Sequence, residues 1–340
     1  MDMVRDLRKT FQQFAKFECE GSSRLYEVLS YQIAADEDLL KIVAQIPIGQ
    51  PVPNLLFASV QYLLKNLDDP LKEFYRSFTI QPKPADGAFE PFKRFVLSHQ
   101  QALLDLFKSK LVQTNEVRRC TYLYPMLCEI YEKHQQPLAL VEIGTSSALQ
   151  LGIDQYQYQY GNLVVGNEHS ELRLMSENRG ESLPSSIKQP ILVNTRIGMD
   201  LNTIDIQDSH ELEWLQSLIW PEHTERLQFL KDAARIVNTL PIQLINGDAT
   251  KELINVYLTI PNDEMLVVFH THVANQFSQE AKESLVTALN LISKERPLYH
   301  IYNNLYDTNI HQDYMYDETF EEVRLLERAD GHARWFKWKN

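Results

Sequence analysis

A chain of 340 residues, 44% hydrophobic and 23% charged, is long enough to bury a large core and to divide into two structural units. Its formal net charge of -13 argues against general affinity for nucleic acid or for an anionic membrane, because the bulk field repels both. Cys19, Cys120 and Cys128 are an odd set without metal-ligand spacing, which reads as reduced, buried thiols in a cytoplasmic protein.

Residues 1–17 are amphipathic and charged and lack the apolar core of a signal peptide, and no later stretch approaches the length of a membrane span. Helical periodicity then runs to residue 136. Phe11, Phe14 and Phe17 recur at three-residue spacing, Gly21-Ser22-Ser23 punctuates the pattern, and residues 55–67 and 92–111 predict further helices around a turn-rich segment at 81–87. Residues 1–136 are therefore expected to form an all-helical N-terminal domain. In residues 112–119, VQTNEVRR, Thr114 or Asn115 can cap a helix whose first turn carries Glu116, and Pro125 is expected to kink it. Arg118 and Arg119 are either two solvated charges there or part of a cleft wall.

Residues 137–161 organise the rest of the chain. Leu138–Ile143 is a continuous apolar run of the kind found in a buried parallel strand, and residues 144–148 are all small, so a ligand can approach the backbone where a helix is expected from Ala148. Glu142 places an acid at the strand's carboxyl end. Tyrosine and glutamine alternate from Tyr156 to Tyr160 with a period of two, predicting a strand with a tyrosine face. After an irregular polar stretch, residues 191–197 predict a second core strand, from whose end Asp200 and Asp205 emerge; these acids suit either ribose hydroxyls or turn capping. Two helices follow, with Trp214, Trp220, His223 and Arg226 gathered at one corner. Residues 241–245, 265–269 and 297–302 predict three more core strands; Asp248 follows the first of them, and His270 and His272 follow the second. Residues 321–326 and 333–338, around Asp330-Gly331, read as a closing antiparallel hairpin. This succession predicts an α/β fold over residues 137–340, a Rossmann-like, methyltransferase-type doubly wound sheet with an antiparallel last strand.

On these residues the chain resembles the bacterial domain of unknown function family twenty-three thirty-two, which itself resembles class I S-adenosylmethionine-dependent methyltransferases. The matching segments are VQTNEVRR (112–119), EIGTSSALQLGID (142–154), YQYQYG (156–161), RIGMDLNTID (196–205), WLQSLIWPEHTERL (214–227) and GDA (247–249). The methyltransferase likeness implies S-adenosylmethionine as cofactor and an unidentified methyl acceptor. Glu142, Gly144, Ser146 and Ala148 stand where an acid-x-Gly-x-Gly-x-Gly motif runs, with Ser and Ala replacing its second and third glycines. It implies Glu142 at the methionine amine, Asp200 or Asp205 at the ribose and Asp248 at the adenine. An Asn/Asp-Pro-Pro-aromatic motif is absent from residues 270–275, so no catalytic residue is assigned; Arg118, Arg196, His223 and His270 are candidates for gripping an acceptor.

Two rival readings remain. Residues 144–148 also resemble a nucleophile elbow, with Ser146 as nucleophile and Asp248 with His270 or His272 as partners, although Ala148 stands where a tight elbow carries glycine. A catalytically silent, nucleoside-binding or scaffold protein is the other. His270 and His272 lack an HExxH pattern or a cysteine pair, so no metal site is assigned.

Overall fold

The computed structural model describes residues 2–113 and 115–339. Thr114, one of the two expected caps, lies outside the described residues. Two compact units are formed, the first from residues 1–114 and 208–228 and the second from residues 115–207 and 229–340. This differs from a division at residue 136 in two respects: the helix before the first core strand belongs to the second unit, and the segment 208–228 belongs to the first.

The regular elements of the first unit, among the described residues, are helices. They are α1 (Asp2–Phe14), α2 (Arg24–Ala35), α3 (Glu37–Val43), α4 (Val52–Lys65), α5 (Phe89–Ser98) and α6 (Gln100–Ser109), joined much later in sequence by a helix at Ser209–Ser217. Aromatic side chains make the centre: Tyr26 stacks on Phe57 with ring centroids 4.1 Å apart, and Trp220 meets Tyr26 edge-on at 5.8 Å. The 208–228 segment is tied in by polar contacts as well. Gln61 on α4 donates to the carbonyls of Ser217 (2.9 Å) and Ile219 (2.8 Å), and Glu222 accepts from Ser23 Oγ (2.7 Å) and the Leu25 amide (2.9 Å) at the start of α2.

The second unit opens with α7 (Cys120–His134), which contains Pro125 and ends on Gln135 in the left-handed region, φ 53°. Strand β1 (Leu138–Ile143) follows, buried along its whole length. The excursion after it forms a small sheet from β2 (Gln157–Tyr160), β3 (Leu163–Gly166) and β4 (Arg173–Met175), ordered β3-β2-β4, and then β5 (Glu177–Asn178). The tyrosine alternation does make a strand: Tyr156, Tyr158 and Tyr160 are buried, and their hydroxyls donate to the carbonyls of Leu149, Ile153 and Thr121.

The chain then continues through β6 (Val193–Asp200), α8 (Ser209–Ser217), α9 (Thr224–Val237), β7 (Gln243–Asn246), α10 (Ala249–Tyr257), β8 (Met265–His270), α11 (Gln279–Glu295), β9 (Leu298–Tyr302), β10 (Ile310–Tyr316), β11 (Thr319–Leu326) and β12 (Trp335–Phe336). The main sheet has seven strands in the order β11-β10-β9-β8-β1-β6-β7. Its five parallel members follow the 3-2-1-4-5 succession of a Rossmann-like sheet, whose order reverses between β1 and β8. On one face, Val141, Ile143, Met199 and Val268 pack with Leu253 of α10 and Leu289 of α11.

The closing hairpin is not the one expected. It is formed by β10 and β11, with β10 antiparallel to both neighbours, so the antiparallel strand is internal and β11 takes the edge. Asp317 and Glu318, between the paired Tyr316 and Thr319, have φ of 47° and 62°, as a two-residue type I′ turn requires. Residues 333–338 contribute only β12, which pairs in parallel with β5.

Candidate functional site at the carboxyl edge of β1 and β8

In an open α/β sheet a ligand is expected outside the carboxyl ends of the strands where the order reverses. At that edge β1 ends in Glu142 and Ile143. Glu142 is 2% exposed; Thr145 Oγ1 donates to its Oε2 at 2.7 Å, and burial, with the negative charge of Asp200 adding, pushes its carboxyl up to about 8. It therefore carries its proton at neutral pH.

The loop beyond β1 is closely held. Gly144 has φ +71°, and a Cβ there would fall 2.5 Å from Val273 Cγ2, so the position demands glycine for both conformation and space. The amides of Gly144 and Thr145 donate to the Met199 carbonyl at 2.8 and 3.2 Å, and the Asn115 side-chain amide donates to the Thr145 carbonyl at 2.8 Å. Ser146 is buried with φ 52°; its amide donates to Asp200 Oδ2 at 2.9 Å and its carbonyl accepts from the Ile204 amide at 2.9 Å. A 3-10 turn (Leu149–Gln155) stands where an α-helix was expected, because Ala148 adopts the left-handed region, φ 59°, and Tyr156 takes the Leu149 carbonyl that an α-helix would use internally.

Each aspartate singled out in the sequence holds an amide of its own turn. Asp200 Oδ1 accepts from Asn202 (3.0 Å), and Asp205 Oδ1 accepts from Gln207 (2.9 Å). Asp248 Oδ1 caps α10 through the Thr250 amide (3.0 Å) and hydroxyl (2.7 Å); the Thr250 contacts and Lys251 keep its carboxyl below the usual carboxylate range.

The four candidates for gripping an acceptor are each engaged in contacts of their own. The Arg196 guanidinium is buried and donates to the carbonyls of Leu151 (3.1 Å) and Val193 (3.0 Å) and to Asp154 (2.7 Å), which ties the 3-10 turn to β6. Arg118 is buried over the Phe229 ring, 5.0 Å from its centroid. His270 is wholly buried beside His300, with ring centroids 5.2 Å apart, and burial lowers its pKa to about 3. His223 belongs to the first unit, where it stacks on Trp220 at 5.4 Å and its Nε2 lies 3.0 Å from Ser22 Oγ. Ser146 Oγ is buried without a hydrogen-bond partner, so no imidazole is aligned on it as a nucleophile requires.

At this edge Arg119 and His272 meet Gln150, Thr271 and Asn303, which sequence reasoning did not single out. Arg119 donates through Nε to the Gly331 carbonyl (3.3 Å) and through Nη1 to the Thr271 carbonyl (3.4 Å). Gln150 Nε2 donates to Thr271 Oγ1 at 3.1 Å, and the His272 amide donates to Asn303 Oδ1 at 2.7 Å. His272 has φ 57°, and burial, with Arg119 and His332 nearby, lowers its imidazole to about 4. A protonated carboxyl and a neutral imidazole accompany the permanent cation of Arg119. The sequence signals for this group were the arginine pair ahead of α7 and the position of residues 270–275 after a core strand.

Cys19, Cys120 and Cys128 are buried free thiols, and among the described residues no helix is long and apolar enough to cross a membrane. No curated protein and no solved structure matches the chain. The family described as "Uncharacterized protein conserved in bacteria (DUF2332)" matches residues 8–338, nearly the whole length, and the chain belongs to that family.

Proposed function

We propose that the second unit binds a small polar molecule of nucleoside type at the carboxyl edge of β1 and β8, with S-adenosylmethionine the first candidate and methyl transfer to an unidentified acceptor the reaction. The observation that carries this reading is a cluster of non-glycine residues with left-handed backbone: Ser146 and Ala148 after β1, His272 after β8 and Asn304 after β9. Each such conformation costs about 1–3 kcal/mol, and chains retain them at ligand sites and switch regions. The 3-2-1-4-5 succession supports the same location.

In this reading Glu142 hydrogen-bonds the amino-acid end of the donor, Asp200 or Asp205 the ribose, and Asp248 the adenine amino group. Arg118, Arg196, His223 and His270 are then free of any required role in acceptor binding, and the group around Arg119 and Thr271 takes it. Methyl transfer depends chiefly on aligning donor and acceptor, so a paired general acid and base is not needed. Entry of an adenosyl group requires the contact between the Ser146 amide and Asp200 to open.

A second reading, a catalytically silent nucleoside-binding or scaffold protein, is favoured by a different observation. Asp200, Asp205 and Asp248 each already hold a backbone amide, and Val273 packs against Gly144. Calorimetry with S-adenosylmethionine and S-adenosylhomocysteine separates a donor-binding protein from a scaffold that binds neither. Saturable heat that falls at least tenfold in affinity with Asp200→Ala supports the methyl-donor reading; no heat with either compound removes it.

A further inference from the structure

Strand β10 lies between two hydrogen-bonded neighbours, β9 and β11, yet three consecutive residues in it, His311, Gln312 and Asp313, are polar and buried. The register sets His311 opposite Tyr302 and places Asp313 between His300 on one side and Glu322 on the other. Residues two apart on a strand face the same way, and direct cross-strand partners share a face. His311, Asp313 and Glu322 therefore converge, and one donor atom from each lies within 4.8 Å of the other two. The irregularity in the β10–β11 ladder between Gln312 and Asp313 is a device that commonly re-aims side chains near functional sites.

The imidazole of His311 is held on three sides. Its Nδ1 is 3.1 Å from Glu322 Oε2, its Nε2 is 3.0 Å from Asp307 Oδ1, and its ring stacks on Tyr302 with centroids 4.9 Å apart and planes 6° from parallel. An ion pair between the histidine and two carboxylates accounts for Asp307 and Glu322 but not for Asp313. That residue is 1% exposed; Tyr302 hydrogen-bonds its carboxyl, but its Oδ1 has no hydrogen-bond partner. A buried carboxylate oxygen left without a donor is costly unless a cation meets it or the carboxyl takes up a proton.

We propose that His311, Asp313 and Glu322 bind a divalent transition-metal ion of the zinc or manganese type, with Asp307 orienting the imidazole from behind. One imidazole and two carboxylates make a mixed nitrogen and oxygen donor set, which suits those ions; calcium and magnesium favour all-oxygen shells. A carboxylate on the second ring nitrogen is the recurrent outer contact of a metal-bound histidine, fixing its tautomer and raising its basicity. Bonds of about 2.0–2.2 Å to such donors require closer spacing than 4.8 Å, and Glu322, whose side chain is 47% exposed, has room to swing inward. Three protein ligands leave the remaining positions to water or to a ligand. This site does not rest on the methyl-donor reading of the β1 and β8 edge.

The test uses the full-length chain stripped with a chelator and titrated with zinc and, separately, manganese by calorimetry, with metal content measured after dialysis. One equivalent of one of these ions is expected. Asp313→Asn and His311→Gln should each weaken binding by about 100-fold or more, and Asp307→Asn by about 10- to 100-fold. Asp307 sits on an exposed turn, so its variant keeps the test decisive if Asp313→Asn misfolds. Absence of stoichiometric uptake, affinity unchanged in both the Asp307 and Asp313 variants, or preference for calcium over both ions overturns the proposal.

Discussion

Replacing Glu142 by glutamine isolates a buried proton. The carboxyl is 2% exposed and its folded-state pKa is raised from 4.5 to about 8, first by burial and then by Asp200. A carboxyl whose pKa is higher in the folded state binds more protons there than in the unfolded chain. Its contribution is intact below pH 4.5 and is lost as the pH rises toward 8. At about 1.4 kcal/mol per unit, the loss is on the order of 4 kcal/mol across that window. Glu142→Gln keeps an acceptor for the Thr145 hydroxyl and removes the titration. Urea unfolding of both proteins at about pH 5, 7 and 9 should show the difference in stability moving toward the variant by roughly that amount. A difference that stays constant with pH refutes the argument, because Glu142 would then be ionised in the folded protein at little cost.

Four further outcomes are expected. Gly144→Ala forces both a left-handed alanine and a clash with Val273, and should cost about 2–4 kcal/mol in denaturant melts; adding Val273→Ala should recover part of the loss, and no recovery would place the penalty in the backbone alone. Asp154→Ala leaves the buried Arg196 guanidinium without its carboxylate, 2.7 Å away, and should cost about 3–5 kcal/mol; a cost under about 1 kcal/mol would show that the pair is solvated. Tyr158→Phe deprives the Ile153 carbonyl of a buried donor and should cost about 1–3 kcal/mol, with thermal unfolding as the readout. Asp317→Asn with Glu318→Gly installs the residues a type I′ turn favours and should raise stability by about 1 kcal/mol, provided both positions keep positive φ.

The parallel core was legible because β1 and β8 are apolar runs ended by small or polar residues, a pattern that suits a strand covered on both faces. The tyrosine strand was legible because period-two alternation survives burial when each hydroxyl finds a carbonyl. Strand β10 was not. Its residues, IHQDYMY, bury histidine, glutamine and aspartate where a central strand normally buries valine or isoleucine, so hydropathy hides it. Its turn was hidden too, since Asp317-Glu318 achieves positive φ without the glycine or asparagine that announces a type I′ hairpin. The acids at the strand ends were found by position, but an aspartate that caps a turn and one that holds a ribose have the same sequence context. Thr271 escaped notice because its carbonyl and hydroxyl meet Arg119 from far along the chain, which no local side-chain pattern records.

Neither compact unit is a single uninterrupted stretch of chain. Trp220, Glu222 and the carbonyls that Gln61 holds all lie in residues 208–228, while the helices that need them end by Ser109. On the ribosome, the first helices must wait through synthesis of roughly half of the second unit before their aromatic centre can close, although N-terminal parts ordinarily fold first. A fragment ending at residue 136 would expose Tyr26 and Phe14 where Trp220 should cover them, and its natural fate is chaperone capture or aggregation. Secreting or fusing this helical part alone will therefore fail unless the distant 208–228 peptide is supplied with it.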